Sequence, residues 1–202
     1  MKTQYLFSMM IAALLVMAAS QTARAWSRPE LNFAAGTTMR ADGLPSDGGA
    51  SVAVSPMWSF AEHARFGVSM FADDIGGKVA HMYDPNDGTD LGLAAFTHRW
   101  TWGAAWRGDA DVARFGRWAA TASGTWGWSR TEDDLGGKTF LAASAVGVGL
   151  GGEVRRTIAP GQTLGVIMRW QRLFAERNAS YRRVTHYATA AVEWGWAGAP
   201  RP

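Results

Sequence analysis

The chain contains no cysteine. That excludes disulfides, thiolate nucleophiles, cysteine-held metals and an acylated cysteine after a leader. Lysine is scarce: beyond Lys2 only Lys78 and Lys138 occur, so arginine carries the positive charge. Neither sign dominates. With 20 Lys and Arg against 17 Asp and Glu the formal charge is +3, and about +1 once Lys2 and Arg24 are set aside with the first 25 residues. A balance this even does not suit a nucleic-acid binder. Past that N-terminal stretch there is no run of about 18 apolar residues, so no membrane helix is expected in the remainder.

The N-terminal stretch reads as a secretory signal peptide. Lys2 supplies the positive start, Leu6 to Ala19 the apolar core, and Ala23-Arg24-Ala25 a small-x-small cleavage site. Two segments are therefore expected: residues 1–25 as a leader and 26–202 as one domain outside the cytoplasm. All 11 Trp and all 24 Gly fall in the second segment. Indole rings concentrate at membrane interfaces, where the ring is buried and its polar edge stays wet. A soluble β-sandwich is the rival that composition leaves open.

Eight segments alternate with period two, as strands with two unlike faces do. They are Leu31–Arg40, Ala50–Phe60, Arg65–Ala72, Leu93–Arg107, Arg117–Ser129, Phe140–Val154, Thr163–Phe174 and Val184–Trp196. In the fourth, Phe96, His98, Trp100, Trp102 and Trp106 share one face, and Thr97, Arg99, Thr101, Gly103 and Arg107 the other. Pro56 cannot donate to a ladder, so an irregularity is expected there. One face is apolar and aromatic throughout; the other is Gly, Ala, Ser and Thr with scattered Arg and Glu. A sandwich buries the first and solvates the second. A narrow membrane barrel does the reverse, and small residues suit an eight-stranded bore. The expected fold is thus all-β: an eight-stranded antiparallel up-and-down transmembrane barrel.

Connections at Glu62–Ala64, Gly108–Ala113 and Arg155–Gln162 are short, whereas those at Ala41–Gly49, Asp73–Gly92, Ser129–Thr139 and Ala175–Arg183 are mostly longer. Short periplasmic turns and longer external loops follow that pattern. With this orientation Trp58, Trp106, Trp194 and Trp196 form a periplasmic aromatic girdle, and Trp126, Trp128 and Trp170 an external one. A strict two-residue turn at Gly136-Gly137 sets Trp faces against polar faces, which a bulge would repair.

Candidate sites are few. The acids Asp73, Asp74, Asp84, Asp87, Asp90, Glu132, Asp133 and Asp134 are expected in external loops as solvated charges. Asp84 to Asp90 resembles a calcium loop but fails its spacing, because Gly88 stands where a ligand belongs; no metal and no cofactor is expected. Pairing the last hairpin so that residue numbers sum to 362 sets Arg169 against Glu193 inside the bore. Arg99, Arg107, Arg117 and Glu153 are further expected lumen charges, and paired charges favour a plug over a gate. The same register sets Glu176 opposite His186 with Ser180 between, the makings of an acyl-hydrolase. In lipid A deacylase barrels, which such a site would resemble, the His and Ser lie as His-x-Ser; here Tyr187 and Ala188 follow His186.

With these features the chain resembles the small outer-membrane barrels of the OmpA, OmpX and OmpW type, on architecture alone. Val192-Glu193-Trp194-Gly195-Trp196 is similar to the terminal aromatic signal read by the barrel-assembly machinery. The resemblance implies residence in the bacterial outer membrane, with lipid, lipopolysaccharide and that machinery as partners. Three functions stay open: a structural or surface-interaction barrel, which the inward arginines favour; a porin-like narrow pore for small solutes; and a lipid A-modifying hydrolase.

Overall fold

β-Branched, aromatic and small residues alternating over ten or more positions have no helical solution that gathers the apolar side chains on one stripe, so they form strands. The computed structural model describes residues 29–41, 48–74, 78–83, 87–96, 98–135, 138–175 and 185–197. Its strands are β1 (Pro29–Arg40), β2 (Gly49–Ala61), β3 (Ala64–Asp74), β4 (Lys78–Tyr83), β5 (Asp90–Phe96), β6 (His98–Phe115), β7 (Trp118–Leu135), β8 (Lys138–Ala159), β9 (Gln162–Ala175) and β10 (Thr185–Ala197). Eight of them close an antiparallel barrel in the order β1-β10-β9-β8-β7-β6-β3-β2, and β4 pairs with β5 in a separate sheet. The fold is the eight-stranded barrel that the alternation predicts.

Stagger and bore size follow from the register. Tracing partners from Glu30 through Met57, Gly67, Arg107, Thr125, Gly149, Gln171 and Tyr187 returns to β1 at Arg40, ten residues further on (40 against 30). Such a stagger tilts the strands by roughly 40°, and eight strands about 4.8 Å apart then enclose a bore about 16 Å across between backbones.

The sidedness is inverted relative to a soluble protein. Among the described residues 26 large apolar side chains are exposed, Trp126, Leu150 and Met168 among them, while the buried set holds 16 polar or charged residues and only 6 apolar ones. Water would not stabilise such a wall, but hydrocarbon does. The barrel is therefore a transmembrane one, and the sandwich reading is excluded.

The turns differ from expectation. β6 runs on through Gly108–Ala113 to Phe115 and turns at Gly116-Arg117; β8 runs to Ala159 and turns at Pro160-Gly161. Gly116 (φ 62°) and Gly161 (φ 72°) take the left-handed conformation that these two-residue turns need. Gly108, Asp109 and Asp111 have turn-like composition, yet their alternation continues the strand. At the opposite, long-link end, β7 and β8 reach Leu135 and Lys138, so only residues 136–137 join them, and a register shift between Asp133 and Asp134 keeps the faces matched. The register stays constant across Pro56, and the nearby irregularity falls between Ser59 and Ala61. The β4–β5 hairpin occupies the link expected from Asp73 to Gly92 and also takes Leu93–Phe96 from the expected fourth strand, so the barrel strand β6 begins only at His98. The expected leader, residues 1–25, lies outside the described residues.

Candidate functional site

Inward positions decide what the bore holds. They recur at every second residue: Arg65 on β3, Arg107, Asp109 and Asp111 on β6, Glu153 and Arg155 on β8, Glu193 on β10 and Glu30 on β1. Inward glycines make room for them. A Cβ on Gly165 would stand 2.6 Å from Glu153 Oε1, and one on Gly195 2.8 Å from Glu30 Oε1. A Cβ on outward Gly124, by contrast, would meet nothing within 4 Å. Small residues on the inner face therefore act as space for a few large charged ones.

The centre of the network is Arg107, fully buried. Its two terminal nitrogens donate to Glu193 Oε2 and Oε1 at 2.6 and 3.0 Å, and its Nε donates to Asp109 Oδ1 at 2.9 Å. β6 and β10 stand four strands apart in a ring of eight. The Arg107–Glu193 pair thus crosses the full bore. Asp109 is shared: its other oxygen accepts from Arg65 at 3.0 Å, and Arg65 also donates to Glu30 at 2.6 Å. Glu153 closes the group, 3.6 Å from Arg65 and 3.8 Å from Arg107. Nearer the turns, Arg155 donates to Asp111 at 2.9 Å, Thr121 donates to the same carboxylate at 2.9 Å, and Arg114 binds it at 2.7 Å. A carboxylate or guanidinium in this setting is tolerable because each has a neighbour of opposite charge, although Arg65 Nε and Glu153 Oε2 are left without a hydrogen-bond partner.

Toward the long-link end the filling changes to hydroxyls and amides. Ser51 donates to Asp73 at 2.6 Å, Tyr187 donates to Gln171 at 2.6 Å, and Ser55 and Ser69 bond at 3.0 Å. Leu173, Ala145 and buried Tyr187 pack together beside them. Asp73, expected in a loop, is a buried inward residue at the end of β3.

The expected lumen pair is not formed. β9 and β10 pair Arg169 with Thr189 and Gly165 with Glu193, a sum of 358 rather than 362. The error is four residues, an even number, so it leaves every side chain on its expected face and alternation cannot detect it. Glu193 instead meets Arg107. Arg117 is exposed in the Gly116-Arg117 turn, outside the bore, because the turn lies further along the chain than its composition suggests. Arg99 lies on β6, but its side chain is outside those described. Glu30, Arg65, Asp109, Asp111 and Arg155 were missed, although the Arg107-x-Asp109-x-Asp111 alternation places two of them, Asp109 and Asp111, on the face of Arg107.

Of the three hydrolase residues only His186 is among those described. His186 faces Arg172 across the ladder and rests against Trp170, ring centroids 5.3 Å apart. Glu176 and Ser180 lie outside the described residues. Among the described residues no cluster of His, Asp or Glu is arranged to hold a metal. In the β4–β5 connection Thr89 donates its amide to Asp87 at 2.8 Å. Hydrogen bonds from the Thr89 side chain and amide hold that exposed carboxyl below its ordinary range.

All seven expected girdle tryptophans are exposed on the outer wall. Their levels differ from expectation, however. Trp106 and Trp126 are direct cross-strand partners, so they share one level and cannot mark opposite rims. Trp58, Trp194 and Trp196 stand at the turn end, joined by Trp118; Trp128 stands toward the other end with Trp100 and Trp102, the last edge-on to it at 5.8 Å.

No protein-family model matches this chain, and no curated protein does either. Solved structures do. Neisserial surface protein A shares 12% identity, with 84% of this chain and 95% of that one covered at a TM-score of 0.56. Ail, the attachment invasion locus protein of Yersinia pestis, shares 8% identity over 85% of this chain and 97% of that one in its complex with the heparin analogue sucrose octasulfate, at a TM-score of 0.45. Likeness at this level concerns the fold: the chain is similar to small bacterial outer-membrane barrels.

Proposed function

We propose that this protein is a sealed outer-membrane barrel with a structural or surface-interaction role, its bore a plug rather than a passage. One observation carries the reading: the fully buried Arg107–Glu193 pair spans the bore, with Asp109, Arg65 and Glu153 packed around it. Moving a hydrated ion past that layer would require stripping partners from several buried charges at once, at several kcal/mol each. The working surface then lies outside the bore, on the lipid-facing wall and on the β4–β5 hairpin, which would stand on the external side.

The same reading takes residues 1–25 as a leader removed on export, and the β10 end at Trp194–Trp196 as the segment met by the barrel-assembly machinery. The two-residue turns face the periplasm. The direct test is electrical. Purified protein inserted into planar phosphatidylcholine bilayers is expected to give no steady unitary current, while its gel migration remains heat-dependent. A stable open current from the folded barrel would overturn the plug and establish the pore.

A further inference from the structure

We propose that the outer wall from β3 and β6 across β7 and β8 to β9 holds one phosphorylated, multiply acylated lipid of the external leaflet, with Arg172 as the phosphate anchor. The inference rests on the outer-membrane reading above and adds a defined ligand and site to it.

Arg172 shares the outward face of β9 with Trp170 and Phe174, and its guanidinium lies 5.0 Å from the centre of the Phe174 ring. Its cross-strand partners are Val148 and His186. Among the described residues no carboxylate pairs with it, and its Nε is buried without a hydrogen-bond partner. Arg65 and Arg169 share the unpartnered Nε; the missing acid is what sets Arg172 apart from Arg65, Arg107, Arg114, Arg130 and Arg155, each of which meets one. A cation on a lipid-facing wall is costly unless it reaches the interface and finds an anion there. At the level of Arg172, toward the external rim, the anion within reach is a lipid phosphate, whose geometry suits a guanidinium fork.

A second cation completes the mouth of the site. Arg130 faces outward on β7, the other side of β8, where it pairs with Ser144, while Arg172 pairs with Val148. Two strand spacings across and four residues along β8 set the two backbones about 16 Å apart. Each guanidinium lies against a residue of its own strand, Phe174 for Arg172 and Glu132 for Arg130; turning the two long side chains toward each other would shorten that gap to the span of a head group with a phosphate at each end. The Arg130 side chain is 43% exposed, and its Nε donates to Glu132 at 2.7 Å. Between the two arginines β8 presents Ser144, Val146 and Val148. Below Arg130 on the same face stand Trp128 and Trp126, and there the wall is hollowed. A cavity of about 360 Å³ is floored by Ala104 and bounded by Val68, Trp106, Trp126, Trp128 and Val146. Its lining is apolar and it opens on the hydrocarbon side, so an acyl chain descending from a head group held by Arg130 and Arg172 would lie along it. Charge at the top and an apolar trough beneath match a lipid end to end.

The test uses the full barrel reconstituted in phosphatidylcholine nanodiscs doped with lipid A bisphosphate, with bound lipid counted by native mass spectrometry. One lipid A per wild-type barrel is expected. Arg172→Gln should weaken retention about tenfold, the loss of one charge-assisted contact, and adding Arg130→Gln should weaken it further. Dephosphorylated lipid A should not be retained, and millimolar inorganic phosphate should not displace the bisphosphate. Heat-dependent gel migration of each variant verifies folding. Equal retention by folded Arg172→Gln, equal retention of the dephosphorylated lipid, or a second barrel in place of lipid overturns the site. Displacement by inorganic phosphate overturns it too, and assigns Arg172 to free anions instead. Failure of the wild type to enter nanodiscs at all would sink the membrane reading, a result distinct from entry without lipid A.

Discussion

Replacing Arg107 with methionine separates the plug from mere filling. The substitution keeps an unbranched side chain and removes the charge. Glu193 then loses both of its short hydrogen bonds, at 2.6 and 3.0 Å, and Asp109 loses one of two arginine partners. Breaking a buried pair from one side costs about 3–5 kcal/mol, because a desolvated charge is left behind. Asp109 keeps Arg65, so most of the loss belongs to Glu193. The double variant Arg107→Met/Glu193→Met removes both charges and should recover roughly 1–3 kcal/mol of it. Urea unfolding of the vesicle-inserted barrel, followed by tryptophan fluorescence and by gel mobility, reads both values. A single variant within about 0.5 kcal/mol of wild type, or a double variant showing no recovery, would refute the claim that this layer is held by mutual charge compensation.

Other consequences follow from the same geometry. Gly165→Ala forces a Cβ to 2.6 Å from Glu153 Oε1 and 2.9 Å from Val154 O, and should lose about 1–3 kcal/mol, whereas Gly124→Ala on the open outer wall should be neutral or slightly stabilising; the two unfolding midpoints must therefore move apart. Leu150→Arg, midway along β8 on the lipid face, should cost about 2–4 kcal/mol and Ile158→Arg, beside the turn, about 0–1 kcal/mol. Equal costs at the two depths would contradict the membrane placement of this wall. Adding Mg²⁺ or a chelator should leave the unfolding curve of vesicle-inserted protein unchanged to within about 0.5 kcal/mol; a large shift would expose a cation site that the spacing at Asp84–Asp90 does not predict.

Which face each residue presents was legible because strand side chains repeat every two residues and the two solvents, lipid outside and a crowded polar bore inside, demand opposite chemistry. Trp102, Trp126 and Leu150 were assignable on that basis alone. Strand ends were less legible. Gly108, Asp109 and Asp111 look like turn residues, yet here the glycine faces lipid and the acids face arginines. The real turn signals, Gly116-Arg117 and Pro160-Gly161, are shorter and sit beyond them. The bore network was the least legible part. Its contacts join positions as far apart in the chain as Glu30 and Arg155, and no local pattern states which strands oppose each other across a closed ring. Reading the β9–β10 register four residues out placed the right carboxylate, Glu193, with the wrong arginine.

That misreading points to a role for the buried charges in the molecule itself. An even slip of β10 against β9 keeps Trp194 and Trp196 in lipid and Glu193 in the bore, so burial of apolar surface discriminates poorly between registers. A slip of four residues moves Glu193 by about 13 Å along its strand. It would then lose Arg107, and an alanine, Ala191 or Ala199, would enter the place held by Gly195, whose surroundings leave no room for a Cβ. The ion pairs between β6 and β10, β3 and β1, and β8 and β1 tie together strands that are not neighbours in the sheet, and so act on the register of the whole ring. We therefore expect Arg107→Met/Glu193→Met to keep much of its stability and lose uniqueness: β9 and β10 amide resonances should split into more than one set in detergent micelles, while β2 and β3 remain single. One sharp set for every strand would show that glycine packing alone selects the register, and that the charges serve only to seal the bore.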